Sequence, residues 1–130
     1  LAAALVALFS ATAVQAATYT IDDGDTTALI TAVSSANATS ETDEILLAPN
    51  GLYEFTAAAV SDSNGAHALP VVNSPGMTIR GNGATVRRAF AGSPPSFRFL
   101  TVANGAVATL QQLTLENFRS NLSNGGAILC

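Results

Sequence analysis

A chain of 130 residues carries nine acidic side chains and five basic ones, all five of them arginine, for a formal net charge of −4. That length allows one domain, and that charge excludes the basic surface that nucleic-acid phosphates demand. With 48% hydrophobic but only 6% aromatic residues and no Trp, the core must be packed from small and β-branched side chains rather than large rings.

The chain opens on "LAAALVALFSATAVQA", residues 1–16. The apolar run Leu1 to Phe9 is shorter than the roughly 20 residues a spanning helix needs. It fits the apolar part of a secretory signal peptide whose basic start lies upstream. Val14 and Ala16 stand at the −3 and −1 positions, which predicts cleavage before Ala17 and an exported protein, secreted or held at the cell surface. Residues 17–42 then read as a short strand around Tyr19 and Ile21, a polar turn, and one helix over about 26–37. Leu29, Val33 and Ala36 supply its apolar face, widened by Ile30, and Asp25 or Thr26 its N-cap.

From residue 43 to 130 the texture is strands and turns. "EILLA" (44–48), "LYEF" (52–55), "LPVV" (69–72), "MTIR" (77–80), "ATVR" (84–87), "FRFLTV" (97–102), "VATL" (107–110), "LTL" (113–115) and "AIL" (127–129) are all short. Several alternate apolar with polar residues, the period-two signature of a strand with one buried face.

Five of the ten glycines follow Asn: Gly51, Gly65, Gly83, Gly105 and Gly125. A similar bend therefore recurs about every twenty residues, which points to stacked repeats. Asn-Gly between alternating runs is also a strong hairpin signal, and hairpins would build an antiparallel β-sandwich. The alternative is a corner: one residue in the left-handed region turns the strand without reversing it. Very short strands, one small or apolar face in segment after segment, and a helix placed to close an open end favour corners. This reading puts Met77, Ile79, Val86, Phe99, Val102, Leu110, Leu113 and Leu115 inside. It puts Thr78, Arg80, Thr85, Arg87, Arg98 and Thr114 outside. Each turn adds about 4.8 Å, the interstrand spacing.

"LAPNGLYEF", "MTIRGNGATVRR", "FRFLTVANGAVATLQQLTLENF" and "NGGAIL" resemble the N-terminal part of exported right-handed parallel β-helix proteins. These form the pectin-lyase-like superfamily, which includes bacterial polymorphic outer-membrane and autotransporter-like surface proteins. The resemblance covers about residues 18–130. It implies an all-β solenoid with an N-terminal capping helix near "ALITAVSSAN" and with further coils of the same chain as packing partners. It does not imply one activity, because this fold hosts adhesins, lyases, hydrolases and tailspikes.

The chemistry available is sparse. Glycoside hydrolysis needs two carboxylates across the scissile bond, and Glu116 is the sole acid after Ser63. An enzyme of this kind, a polysaccharide lyase or hydrolase, would carry its site beyond residue 130. Asp22, Asp23 and Asp25 resemble the start of a calcium loop, but Val33 stands where the closing Glu belongs. They read as an acidic turn that caps the helix. His67 reads as a lone loop residue without the companions a metal site needs, and neither metal nor cofactor is assigned. Cys130, the single cysteine, has no disulfide partner within these 130 residues, and a continuation of the chain could supply one. Asn37-Ala-Thr39 and Asn121-Leu-Ser123 match the N-glycosylation pattern, which matters only in a eukaryotic secretory pathway. Arg80, Arg87, Arg88 and Arg98 form the candidate binding patch, able to hold acidic extracellular polysaccharide or cell-surface glycans through bidentate contacts. The expectation is a non-catalytic exported scaffold or adhesin.

Overall fold

The structure, a computed structural model, describes residues 15–120, 122 and 126–130. Residues 1–14 of the predicted leader, the Asn121 sequon and the Asn124-Gly125 bend lie outside the described residues. Among the described residues the chain is all-β with one short helix. No helix among the described residues is long and apolar enough to cross a membrane.

The first strand, β1 (Thr18–Ile21), leads through a turn at Gly24 into α1 (Thr26–Asn37). The chain then enters β2 (Asp43–Leu47), which lies parallel to β1. From β2 it follows one itinerary three times. The first circuit is β2, then β3 (Leu52–Phe55), then residues 66–72. The second is β6 (Met77–Arg80), β7 (Thr85–Arg88) and β8 (Leu100–Thr101). The third is β9 (Ala108–Gln111), β10 (Thr114–Glu116) and β11 (Ile128–Leu129). Three parallel sheets result, ordered β1-β2-β6-β9, β3-β7-β10 and β8-β11. The first-circuit segment joins the third side through the Val72–Val102 bridge. The antiparallel pairing that a sandwich requires occurs, among the described residues, only between β4 (Val60–Asp62) and β5 (Gly65–His67).

The Asn82-Gly83 bend thus turns the chain without reversing it, since β6 and β7 lie in different sheets. Asn82 takes φ 51° and Gly83 φ 84°, and the equivalent corner residues Asn50 and Gln112 take 53° and 50°. The corners sit over one another. Asn50 N–H donates to Asn82 O at 3.1 Å and Gly83 N–H to Gln112 O at 2.9 Å. The Asn82 side chain adds a bond to Leu47 O at 3.0 Å.

Two expectations from the Asn-Gly spacing are corrected. One circuit is longer than twenty residues: Ile45 pairs with Ile79, 34 positions on, and Ile79 with Leu110, 31 on. And Asn64-Gly65 does reverse the chain, closing the β4–β5 hairpin, because here complementary strands flank it directly. "LPVV" is no regular strand, for Pro70 has no N–H to give a ladder. "FRFLTV" keeps only Leu100–Thr101 as strand, because Phe97 to Leu100 are buried in an unbroken run without alternation.

Register stacks like on like inside: Ile45, Ile79 and Leu110 form one column, and Tyr53, Val86 and Leu115 another. Met77, Ile79, Val86 and Phe99 are buried as expected, while Val102, Leu110, Leu113 and Leu115 are partly buried against the same core. Thr78, Arg80, Thr85, Arg87 and Thr114 are partly or fully exposed. Arg98 is not; it is 1% exposed.

The helix buries Leu29, Ala32, Val33 and Ala36, an i, i+3, i+4, i+7 stripe. Asp25 caps it, accepting Ala28 N–H at 2.8 Å. The helix touches β1, β2 and β3. Its last residue, Asn37, donates to Val71 O at 2.8 Å and accepts from Asn73 N–H at 3.1 Å. One short helix is therefore pinned to all three sides of the first circuit. Tyr53 ties the same end together, its hydroxyl donating to Ile21 O at 3.0 Å and accepting Ala48 N–H at 2.9 Å.

Two predictions follow from corners and ties. A Cβ on Gly81 would fall on the carbonyl oxygen of Gln112 and 2.9 Å from its carbon. Gly81→Ala should therefore lower stability by about 1–3 kcal/mol in urea unfolding, the cost of overpacking against backbone. Burial, with the nearby Asp23, Asp22 and Asp25 charges adding to it, raises the Tyr53 phenol above 10.0 despite the opposing Ala48 hydrogen bond. The folded state then holds the proton longer than the unfolded chain. Stability from this group is complete below pH 10.0 and lost as pH rises through the folded value. Thermal melts between pH 8 and 11 should show this decline in the parent chain and lack its Tyr53 component in Tyr53→Phe.

Candidate functional site

The four arginines of the expected patch do not share a surface. Arg80 lies on the first sheet, its Nε 2.8 Å from Glu44 Oε1. Arg87 lies on the second sheet, its Nε 2.7 Å from Glu54 Oε2 and its guanidinium 5.3 Å from the centre of the Phe90 ring. Both are already engaged by partners at the surface, in pairs that solvent keeps weak. Arg88 and Arg98 are 6% and 1% exposed and turn inward to backbone carbonyls, so neither can serve as an outward polyanion contact.

Arg98 bonds through Nη1 to Asn64 O at the tip of the β4–β5 hairpin. Its backbone accepts Ala68 N–H at 2.8 Å and donates to Ala66 O at 2.9 Å. The residue fastens the hairpin to the second circuit, which explains why a charged side chain is buried there. His67 is likewise no loop residue. It ends β5, fully buried, with Nδ1 2.9 Å from Leu69 O and Nε2 3.3 Å from Asp62 Oδ2. Both partners are acceptors, so the ring fills both bonds only when it carries both protons.

Arg88 forms a reciprocal clamp with Asn117. Its Nε donates to Asn117 O at 2.9 Å and its Nη2 to Asn117 Oδ1 at 3.3 Å. Asn117 Nδ2 answers to Arg88 O at 3.1 Å and Ala89 O at 3.2 Å. Nη1 reaches Pro94 O at 2.8 Å, drawing the 89–96 loop over the clamp. That loop turns at Gly92 (φ 76°) and Ser93 (φ 46°).

Between the loop and the end of β10 lies a polar cleft of about 280 Å³, lined by Arg88, Phe90, Ser93, Ser96, Asn117 and Arg119. Phe90 is 62% exposed, Arg119 is exposed, and no described carboxylate lines the cleft. The exposed Arg119 guanidinium, two hydroxyls and the exposed Phe90 ring therefore converge, while the buried Arg88 guanidinium is taken up by Asn117 and Pro94. Such a set can hold an anionic group by hydrogen bonds and the apolar face of a sugar by ring contact. A larger groove of about 640 Å³ runs between β1 and α1, but Asp25 is its one charged lining residue.

Sequence reasoning missed Arg119 and Asn117, and no local pattern marks them, because the cleft exists only where the 89–96 loop folds onto the next circuit. It also missed Asp43. In "DEILL" that residue shares the inward face of Ile45 and Leu47, and the alternation was the signal for it. The acidic turn serves the backbone: Asp25 caps α1, and Asp23 Oδ1 accepts Leu52 N–H at 2.7 Å.

Arg88→Met should lower stability by about 1.5–3 kcal/mol, the usual worth of hydrogen bonds to a charged group. Arg88→Lys should fail to restore it, because one ammonium cannot span Asn117 and Pro94 together. Urea titration of the three proteins tests this. The chain matches no protein-family model, no curated protein and no solved structure.

Proposed function

We propose that the chain forms helix-capped turns of a right-handed parallel β-helix of the pectin-lyase-like kind. It is exported to the cell surface or medium and acts as a rigid, non-catalytic scaffold that binds acidic glycans. Three parallel sheets visited in a fixed order, with corners in register, support the β-helix reading. The leader-like sequence of residues 1–16 supports export.

The observation that carries the binding role is the cleft, where exposed Phe90 and Arg119 stand beside the serine hydroxyls. A planar guanidinium matches a carboxylate or sulfate in two parallel hydrogen bonds. The ring offers a face for sugar C–H groups. The Arg88–Asn117 clamp and its bond to Pro94 O hold the 89–96 loop in place beside the sheet.

Binding to immobilised acidic and neutral glycans tests the reading. Acidic glycans should be retained, and Arg119→Ala or Phe90→Ala should weaken retention about tenfold, equivalent to about 1.4 kcal/mol. Arg80→Ala should leave it unchanged, since that side chain is held in an ion pair with Glu44 on the first sheet. Binding that survives loss of Arg119 and Phe90, or no preference for acidic glycans, refutes the role.

A further inference from the structure

Asp43 is a fully buried acid. A carboxylate inside a protein needs a counter-charge or a full set of donors. Asp43 Oδ2 accepts the Thr39 hydroxyl at 2.6 Å, and Oδ1 accepts the Ala17 N–H at 2.6 Å. Both donors are neutral. Among the described residues the arginine and histidine ion pairs go to Glu44, Glu54 and Asp62, and none to Asp43.

The nitrogen on Oδ1 belongs to the residue that follows the predicted cleavage point. Gln15 and Ala16 are exposed, whereas Ala17 is half-buried and its carbonyl accepts Glu44 N–H at 2.9 Å. The rung therefore starts at Ala17. The small residues at Val14 and Ala16, and the position of Asp43, mark the same peptide bond from unrelated directions.

We infer that Asp43 is the receptor for the mature amino terminus: removal of the leader before Ala17 converts a neutral hydrogen bond into a buried ion pair that locks β1 onto β2. The inference rests on the export reading. Water adds across the Ala16–Ala17 amide, its hydroxyl going to the Ala16 carbonyl carbon and its hydrogen to the Ala17 nitrogen. The new Ala16 carboxyl loses a proton and the Ala17 amine gains one. The ammonium so formed lies against Oδ1, where an amide stood before. Processing thus completes the charge balance at the helix-closed end.

The sequence makes this testable. Residues 17–79 contain neither lysine nor arginine, so the N-terminal tryptic peptide of the processed chain ends at Arg80 and has its α-amine as its sole amine. The exported protein is labelled with an amine-reactive ester at neutral pH, folded and in urea, and that peptide is followed by mass spectrometry. The expected result is a chain beginning at Ala17 whose amine reacts at least tenfold more slowly when folded, with Asp43→Asn restoring rapid labelling. Should Asp43→Asn not fold, the parent protein carbamylated at its α-amine and refolded serves instead, and should melt at a lower temperature. A chain that begins at Ala17 but labels equally fast folded and unfolded overturns the inference while leaving export intact. A start at another residue overturns it too, and an unprocessed chain removes the export reading beneath it.

Discussion

The structure depends on its corners. At Asn50, Asn82 and Gln112, the same corner of three successive circuits, the backbone enters the left-handed region, and hydrogen bonds between corners hold each over the next. A strand that turns there cannot pair with its predecessor. It must find a partner one circuit away, so the three stacked sheets are parallel and in register. Because side chains alternate, this register brings each inward residue over another inward residue. The apolar columns of Ile45, Ile79 and Leu110 and of Tyr53, Val86 and Leu115 follow from corner geometry as much as from hydrophobicity.

Charge is handled differently inside and out. Arg80 and Arg87 meet acids across neighbouring rungs at the surface. Arg88 and Arg98 are buried on carbonyl oxygens, each gathering an excursion of the chain, the 89–96 loop or the β4–β5 hairpin, back to the stack. Guanidinium suits this work because its rigid fork reaches several acceptors at once and stays charged. The same buried Arg88 lends positive potential to the cleft it lines, so a residue that stabilises the loop also conditions the candidate site.

Much of the architecture was legible in the sequence. The helix over 26–37, a cap at Asp25 or Thr26 of which the structure uses Asp25, the strands at 52–55 and 77–80, and the bend at Asn82-Gly83 all follow from local rules of capping, alternation and left-handed tolerance. What was not legible is non-local. Gln112 forms the third corner without Asn or Gly, held by Gly81 and Gly83 of the circuit before. Asn64-Gly65 uses the same dipeptide to reverse the chain, because its flanking strands happen to match. The inward turn of Arg98 depends on the Asn64 carbonyl, 34 positions away in sequence. Arg80, Arg87 and Arg88 were grouped by sequence proximity and Arg98 by expected stacking on a neighbouring coil, whereas the circuits distribute the four over three different sides.

The two excursions leave the rungs between which they sit undisturbed: β3 and β7 keep their pairing although the hairpin intervenes, and β8 takes its place although the 89–96 loop comes first. Length can thus be added or removed at a side without altering the spacing of what is stacked. Selection acting on the projecting segments would meet little resistance from the scaffold. A molecule built this way can change what it touches while keeping unchanged what holds it up.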